Sequence, residues 1–379
     1  PHVSRVSIEK FESTLPPHRV RLMRHIFRTL TERGRASETL AGYDLSSNGV
    51  QPEEIIGKIE DTALATVNVN TELELVKRCG QKLGDVFRGL VASPLELLFP
   101  ADMRQASAAN LYSDTAGARL SNGLVAGALM KLTEVAVTGA IAQGARVLRI
   151  VEIGAGTGGT TQAVLDKLLP LVSGKDGLLN VEYVFTDISA SFFTAARARF
   201  PSGKYPFVEF RVLDIEQDPE EQGLAPHCFD IAIAANVLHA TRSIARTLDN
   251  VLRLLKSGGV LIALEVVIRD FWLDVVFGLL EGWWLYEDLH IRPDGATLST
   301  AAWKRVLSDT GFVESAIGPD GSRTSVILSR GPGLHVPALI SKATKLVLGC
   351  HCTPMPASSP SHASLRPRIT DAEDHRCVV

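Results

Sequence analysis

Apolar residues recur at helical spacing in the first part of the chain and at strand spacing further on. The change of period comes near residue 147. Val20, Leu22, Met23, Ile26, Phe27 and Leu30 repeat every three to four positions, which predicts a helix within the first 35 residues. A turn-rich piece is expected from Gly42 to Asn48. Helical spacing returns over residues 53–99, broken at Gly80, Gly84 and Pro94, and again over 107–143. Residues 1–140 therefore read as a mainly helical N-terminal region, a lid or a linker.

From residue 147 strands and helices alternate. Val147–Ile153 is an apolar strand that runs straight into Gly154-Ala155-Gly156-Thr157-Gly158-Gly159, and a helical pattern follows through Leu168. Val181–Asp187 and Val208–Asp214 are two further strands, each ending in an acid. Phe229–Leu238 is nearly continuously apolar, as a strand covered on both faces must be. A helix is expected over 243–255, stopped by Ser257-Gly258-Gly259 in the manner of a glycine C-cap. Val260–Glu265 is the next strand, 271–289 an aromatic insertion and 299–309 a helix. Gly311–Val313 and Thr324–Leu328 read as a terminal strand pair. This order predicts a doubly wound α/β sheet over residues 141–332. Beyond it, Pro, Ser and His accumulate, and residues 333–379 are expected to be a disordered tail.

The glycine turn and the two acidic strand ends change this from a fold prediction into a chemical one. Glycines allow a ligand to approach the backbone closely, and acids at strand ends can grip a ribose and an adenine. Nicotinamide enzymes also use a glycine turn, but here the third small position arrives too early for their helix-packing register. The layout points to S-adenosylmethionine (SAM). Glu152, Gly154, Ala155, Gly156, Thr157 and Gly158 are assigned to its methionine and ribose side. Asp187, with Ile188, is assigned to the ribose hydroxyls, and Asp214, with Ile215, to the adenine. Asn236, at the end of the fourth strand, completes the cofactor set.

Methylation of carbon needs a base. His239 follows the fourth strand at the carboxyl edge of the sheet, and its unperturbed pKa lies near a working pH. Glu265 ends the neighbouring strand at the same edge, where a carboxylate can orient an imidazole and raise its basicity. Tyr112, ahead of the first strand, is a third candidate, able to polarise a substrate carbonyl or simply to fill the core. Phe277–Tyr286 is too aromatic for a solvent loop, and reads equally as the lining of an acyl pocket or as a buried cap.

Composition narrows the partners. Net charge is −3 with acids and bases interspersed, and neither a basic stripe nor an aromatic stacking platform is apparent, so no nucleic-acid partner is expected. No apolar run reaches the roughly 18 residues of a membrane span. Five scattered cysteines fit a reducing, cytoplasmic setting. Cys350-His351-Cys352 resembles a metal fragment but lacks a second pair at zinc spacing, so no metal is assigned.

Taken together, these residues resemble the C-methyltransferase domain of type I (reducing) polyketide synthases, over about residues 70 to 330. The likeness runs through Glu72–Gly80, Arg88–Val91, Pro94–Pro100, Leu111-Tyr112 with Asn122, Val151–Thr160, Phe185–Ser189, Val212–Glu216 and Ala235–Thr241. Phe277–Trp284 is its most specific part. The resemblance implies a Rossmann-like, seven-stranded class I methyltransferase sheet. It also implies methylation of the α-carbon of a β-ketoacyl (polyketide) thioester on an acyl carrier protein, in cis or in trans. A His–Glu dyad is implied as well, and maps onto His239 and Glu265.

The chain begins at Pro1 and carries no ketosynthase, acyltransferase or carrier sequence, which leaves an excised domain or a freestanding relative open. An O- or N-methyltransferase on a small metabolite, or a silent structural domain of a synthase, are the alternatives.

Overall fold

The computed structural model describes residues 6–7, 12–39, 42–45, 70–100, 107–143, 147–172, 179–333 and 345. The remainder of the expected tail, with Cys350–Cys352, and residues 53–69 of the expected second helical region lie outside the described residues.

Seven strands form the central sheet in the order β6-β5-β4-β7-β8-β10-β9. They are β4 (Val147–Ile153), β5 (Asn180–Asp187), β6 (Val208–Val212), β7 (Phe229–Ala235), β8 (Leu255–Val266), β9 (Glu314–Gly318) and β10 (Thr324–Arg330). β4 to β8 run parallel, and β10 lies antiparallel between β8 and β9. The chain leaves β4 toward β5 and β6 and returns on the other side as β7 and β8. The crevice at the carboxyl ends of β4 and β7 is therefore the switch point where ligands bind in such sheets.

Alternate residues of each strand feed opposite faces, which is why the central strands are apolar throughout. Ile150, Ile231 and Ile262 join Leu129, Val164 and Leu168 on one face. Val151, Ala232 and Leu261 join Leu248, Val251 and Trp303 on the other. The first face is covered by α5 (Ala116–Gln143), α6 (Gly159–Val172) and α7 (Phe192–Arg199). The second is covered by α8 (Ile244–Leu254) and α10 (Thr300–Asp309).

Ahead of the sheet stand α1 (Pro17–Glu32), α2 (Asn70–Phe87), α3 (Leu95–Leu98) and α4 (Ala108–Ser113). Leu22, Leu75, Cys79 and Leu98 from these helices pack with Val276, Phe277, Trp283 and Trp284 of the aromatic insertion, whose first element is α9 (Phe271–Val276). The N-terminal helices and the insertion thus share one apolar cluster, which includes Tyr112 and Val266 at its edge.

Three local expectations differ from what is observed. Part of the turn-rich piece is a strand, β3 (Gly42–Leu45), pairing antiparallel with β2 (Ala36–Thr39) and β1 (Val6–Ser7). Strands of two to four residues are too short to carry an alternation pattern. Helix α8 ends at Leu254 without a glycine cap, because Leu255 already has extended backbone (φ −77°, ψ 137°) and begins β8. Gly258 (φ +74°) instead serves an irregularity in β8, across which the register jumps from Phe229↔Leu255 to Ile231↔Val260. The strand expected at 311–313 begins at Glu314, because Phe312 is drawn into the core behind the turn at Gly311 (φ +95°).

Candidate active site

The glycine turn is built by steric necessity. Gly154, Gly156 and Gly158 all have positive φ (62°, 54° and 77°), a region that side chains with a Cβ rarely occupy. A Cβ on Gly154 would stand 2.4 Å from Val237 Cγ2, so the turn after β4 and the segment after β7 touch at the switch point. A Cβ on Gly158 would stand 2.7 Å from the Phe200 ring. Asn236 also has positive φ (54°), unusual for a residue with a side chain though Asn tolerates it, and its N–H donates to Leu264 O at 2.7 Å. That bond turns the chain out of β7 toward His239.

Beside this turn opens a cleft of ≈ 350 Å³. Among the expected site residues it is lined by Glu152, Gly154, Ala155, Gly156, Thr157, Asn236, His239 and Tyr112. Phe99, Leu111, Trp272, Leu273, Phe277 and Trp283 form its apolar wall.

His239 and Glu265 meet because β7 and β8 are neighbours in register, with Ala235 paired to Leu264. His239 Nδ1 lies 2.6 Å from Glu265 Oε2, and Glu265 Oε1 accepts the Leu238 N–H at 2.9 Å. Both side chains are buried. With Glu265 as the acceptor, Nδ1 is the donor of this pair, and Nε2 is the ring nitrogen that does not meet Glu265. The His239 ring meets the Trp283 ring edge-on at 5.4 Å, and Trp283 stacks on Phe277 at 5.7 Å. Phe277 in turn lies 6.0 Å from the Tyr112 ring. Burial, and then the Glu265 carboxylate, push the Tyr112 phenol upward, so it stays protonated at neutral pH.

Glu152 is 1% exposed, and its Oε2 accepts hydrogen bonds from Thr161 Oγ1 (2.6 Å) and Tyr183 OH (2.5 Å). Burial outweighs these bonds and pushes its carboxyl up to about 7. Asp187 accepts from the Gly156 N–H at 3.0 Å and the Ser189 N–H at 2.9 Å, which ties the end of β5 to the glycine turn. Its carboxyl is raised by burial against those backbone bonds.

The other expected residues sit elsewhere. Asp187, Ile188, Asp214, Ile215 and Gly158 do not line the cleft. Asp214 accepts the Glu216 N–H at 2.9 Å, Ile215 is buried in the core beside β7, and Ile188 is 66% exposed.

Several supports carry no local sequence signal. Arg292, 1% exposed, donates to the carbonyls of His239 (2.8 Å), Thr241 (2.7 Å) and Arg242 (3.0 Å) and pairs with Asp288. Asp288 also accepts the Ile244 N–H at 2.9 Å, so one ion pair fastens the whole turn bearing the base. Trp283 Nε1–H donates to Asp274 at 3.0 Å, and His25 Nε2, from α1, lies 2.9 Å from the same carboxylate. Burial alone would raise Asp274, but the His25 bond and the Arg269 charge hold it below the usual carboxylate range. Asn122 bridges Tyr112 O (2.9 Å) and Thr160 Oγ1 (2.8 Å), joining α4 to α6 beside the cleft.

Among the described residues no group of three or more His, Cys, Asp or Glu is placed to hold a metal, and no helix is long and apolar enough to cross a membrane.

Comparison with known proteins agrees with this geometry. Residues 151–261 match a sequence model described as a methyltransferase domain. The non-reducing polyketide synthase trt4 of Aspergillus terreus is 39% identical over 246 residues, which is 64% of this chain but 9% of that synthase. The CurJ carbon methyltransferase is 34% identical, with 84% of this chain and 82% of that one covered and a TM-score of 0.69. The CMeT domain of the citrinin polyketide synthase is 29% identical, with 84% and 80% covered and a TM-score of 0.66.

Proposed function

The chain belongs to the carbon-methyltransferase domains of polyketide synthases, SAM-dependent enzymes, and from that premise we propose that it methylates the α-carbon of a β-ketoacyl thioester. One observation carries the reading. His239, held at 2.6 Å by the fully buried Glu265, lines the same cleft as the glycine turn. A base held this way suits removal of the proton between two carbonyls, and the likeness to carbon methyltransferases favours carbon over oxygen as the acceptor.

The residues fit the cofactor. The turn at Gly154–Thr157 leaves its backbone bare toward the cleft, with Glu152 and Asn236 beside it, and these are assigned to the methionine and ribose side. Asp187 and Ile188 at the end of β5, and Asp214 and Ile215 after β6, lie outside the cleft lining, and their assignment to the ribose and adenine rests on the strand ends and on the Asp187 bond to the glycine turn. When bound, SAM supplies an electrophilic methyl group on a sulfonium sulfur.

In this reading His239 Nε2 removes a proton from the carbon between the two carbonyls, and Glu265 stabilises the imidazolium that forms. The protonated Tyr112 phenol donates to the carbonyl oxygen on which charge develops. Phe277 and Trp283 exclude water from the cleft and restrict the orientation of the acyl chain. The thioester arrives on an acyl carrier protein.

Incubation with SAM and a β-ketoacyl thioester, followed by mass spectrometry, tests this. The expected product carries one added methyl on the α-carbon and is lost in His239→Ala. A product methylated on oxygen, or full activity in the variant, would overturn the reading.

A further inference from the structure

Glu72 stands in the first turn of α2, and its Oε2 is buried without a hydrogen-bond partner among the described residues. An acid in a first turn ordinarily serves free backbone N–H groups there, and this oxygen takes none. Burying such an acceptor unpaired is costly, more so when it is charged, and native structures hold few of them. Glu72 lines the cleft that His239, Tyr112 and the glycine turn share. The other acid lining it, Glu152, already takes two hydroxyls on Oε2. The carboxylate of Glu72 is thus an acceptor facing a ligand cleft with no donor from the protein.

The packing of α2 indicates which part of the cleft this is. Helix α2 lies against α4, which carries Tyr112, and against α9 and residues 277–279 of the aromatic wall. These elements supply Tyr112, Leu273 and Phe277 to the apolar wall of the cleft, although α4 also touches the end of the glycine turn, where a Cβ on Gly159 would stand 2.9 Å from Tyr112 O. Apolar acyl carbons have nothing to offer a carboxylate, so within a thioester substrate the donor is on the arm that presents the acyl group. The arm of a biological thioester carries secondary amides close to the sulfur, and an amide N–H on a carboxylate makes a charge-assisted hydrogen bond.

We propose that Glu72 is a substrate-binding residue that accepts an amide N–H of the arm bearing the acyl thioester. The proposal rests on the thioester reading above. It makes α2 part of the substrate site and gives the cleft a means of preferring amide-bearing thioesters over simple alkyl ones.

The test is a cycle between protein and substrate. Wild type, Glu72→Met and Glu72→Gln are each given a β-ketoacyl N-acetylcysteamine thioester and its analogue in which oxygen replaces the amide N–H. Wild type should lose roughly tenfold or more in kcat/KM on the oxygen analogue, as expected for a hydrogen bond to a charged group. Glu72→Met should treat both alike, at the level of wild type with the oxygen analogue. Glu72→Gln, which keeps a neutral acceptor, should retain part of the discrimination and covers the case in which the Met variant does not fold. SAM affinity by calorimetry should be the same in all three.

Full discrimination in the variants would overturn the assignment. So would weakened SAM binding with discrimination intact, because the carboxylate would then be serving the ammonium group of SAM. Turnover of both thioesters by wild type without discrimination sinks the role of Glu72 alone. Absence of turnover sinks the thioester reading and takes this proposal with it.

Discussion

The Arg292 guanidinium donates to the carbonyl oxygen of His239 at 2.8 Å, while its Nε pairs with the buried Asp288 carboxylate. The residue that bears the proposed base is therefore held from beneath by a charge that never meets solvent. Removing one member of a buried ion pair leaves the other uncompensated and costs about 3–5 kcal/mol. Arg292→Ala should lose that much in denaturant unfolding, and Arg292/Asp288 double replacement by Met and Leu should recover only the part due to the uncompensated charge, because three carbonyls and the Ile244 N–H stay unpaired. Arg292→Lys keeps the charge but cannot span three carbonyls and a carboxylate in one plane. We expect it to lower kcat roughly tenfold with SAM affinity unchanged. Unaltered kcat in the Lys variant would show that the turn holds the imidazole without this help.

Glu265→Gln separates orientation from mere space-filling. Its carbonyl can still accept the Leu238 N–H that Glu265 Oε1 takes at 2.9 Å, which turns the amide NH₂ toward His239 Nδ1. That contact selects the opposite tautomer and places the hydrogen on Nε2, where the lone pair is needed. kcat should fall by about 10⁴-fold, the scale of a wrong-tautomer change where a carboxylate orients a catalytic His. Nitrogen NMR of the imidazole should report the exchange directly. A normal rate with the altered tautomer would remove His239 Nε2 from the mechanism.

The sheet was legible because its central strands are apolar on both faces and end in glycine or acid, and the dyad because its two members end adjacent strands. The positions of Glu152, Gly154 and Asn236 at the cleft followed from the same strand ends, while their cofactor roles are part of the proposal. The support for the site was not legible. Arg292 reaches His239 across 53 positions and His25 reaches Asp274 across 249, and no periodicity encodes a contact of that kind. Glu72 was invisible for another reason. In sequence it is one more acid in a helical first turn, and only burial of its Oε2 sets it apart. The short strands β1 to β3 and the irregularity at Gly258 depend on backbone pairing rather than on side-chain pattern.

Gly154→Ala introduces two faults that can be told apart. The residue has φ +62°, which costs an L side chain about 1–2 kcal/mol, and its Cβ would overlap Val237 Cγ2 at 2.4 Å. Overpacking of this sort adds about 1–3 kcal/mol. Thermal unfolding should show the sum, and Val237→Ala in the same protein should return only part of the steric cost, because the Val237 Cβ itself stands 2.9 Å from the new one. SAM affinity should fall in both. Complete recovery in the double variant would mean that the positive φ carries no strain here.

Glu152 makes stability depend on pH with a definite sign. Its carboxyl is raised from the ordinary value of 4.5 to about 7, with burial the largest cause. The folded chain therefore holds the proton where the unfolded chain has released it, and this contribution is fully present below pH 4.5. It is lost as pH rises through 7, because ionisation then has to occur in a site with 1% exposure. The whole swing is on the order of 3 kcal/mol. Glu152→Gln cannot ionise, and its carbonyl can still accept from Thr161 and Tyr183. Relative to wild type, the variant should gain stability between pH 5 and about 8 in paired urea titrations. A constant difference across that range would place the ionised carboxylate in the native state throughout, with Thr161 and Tyr183 sufficient to hold the charge.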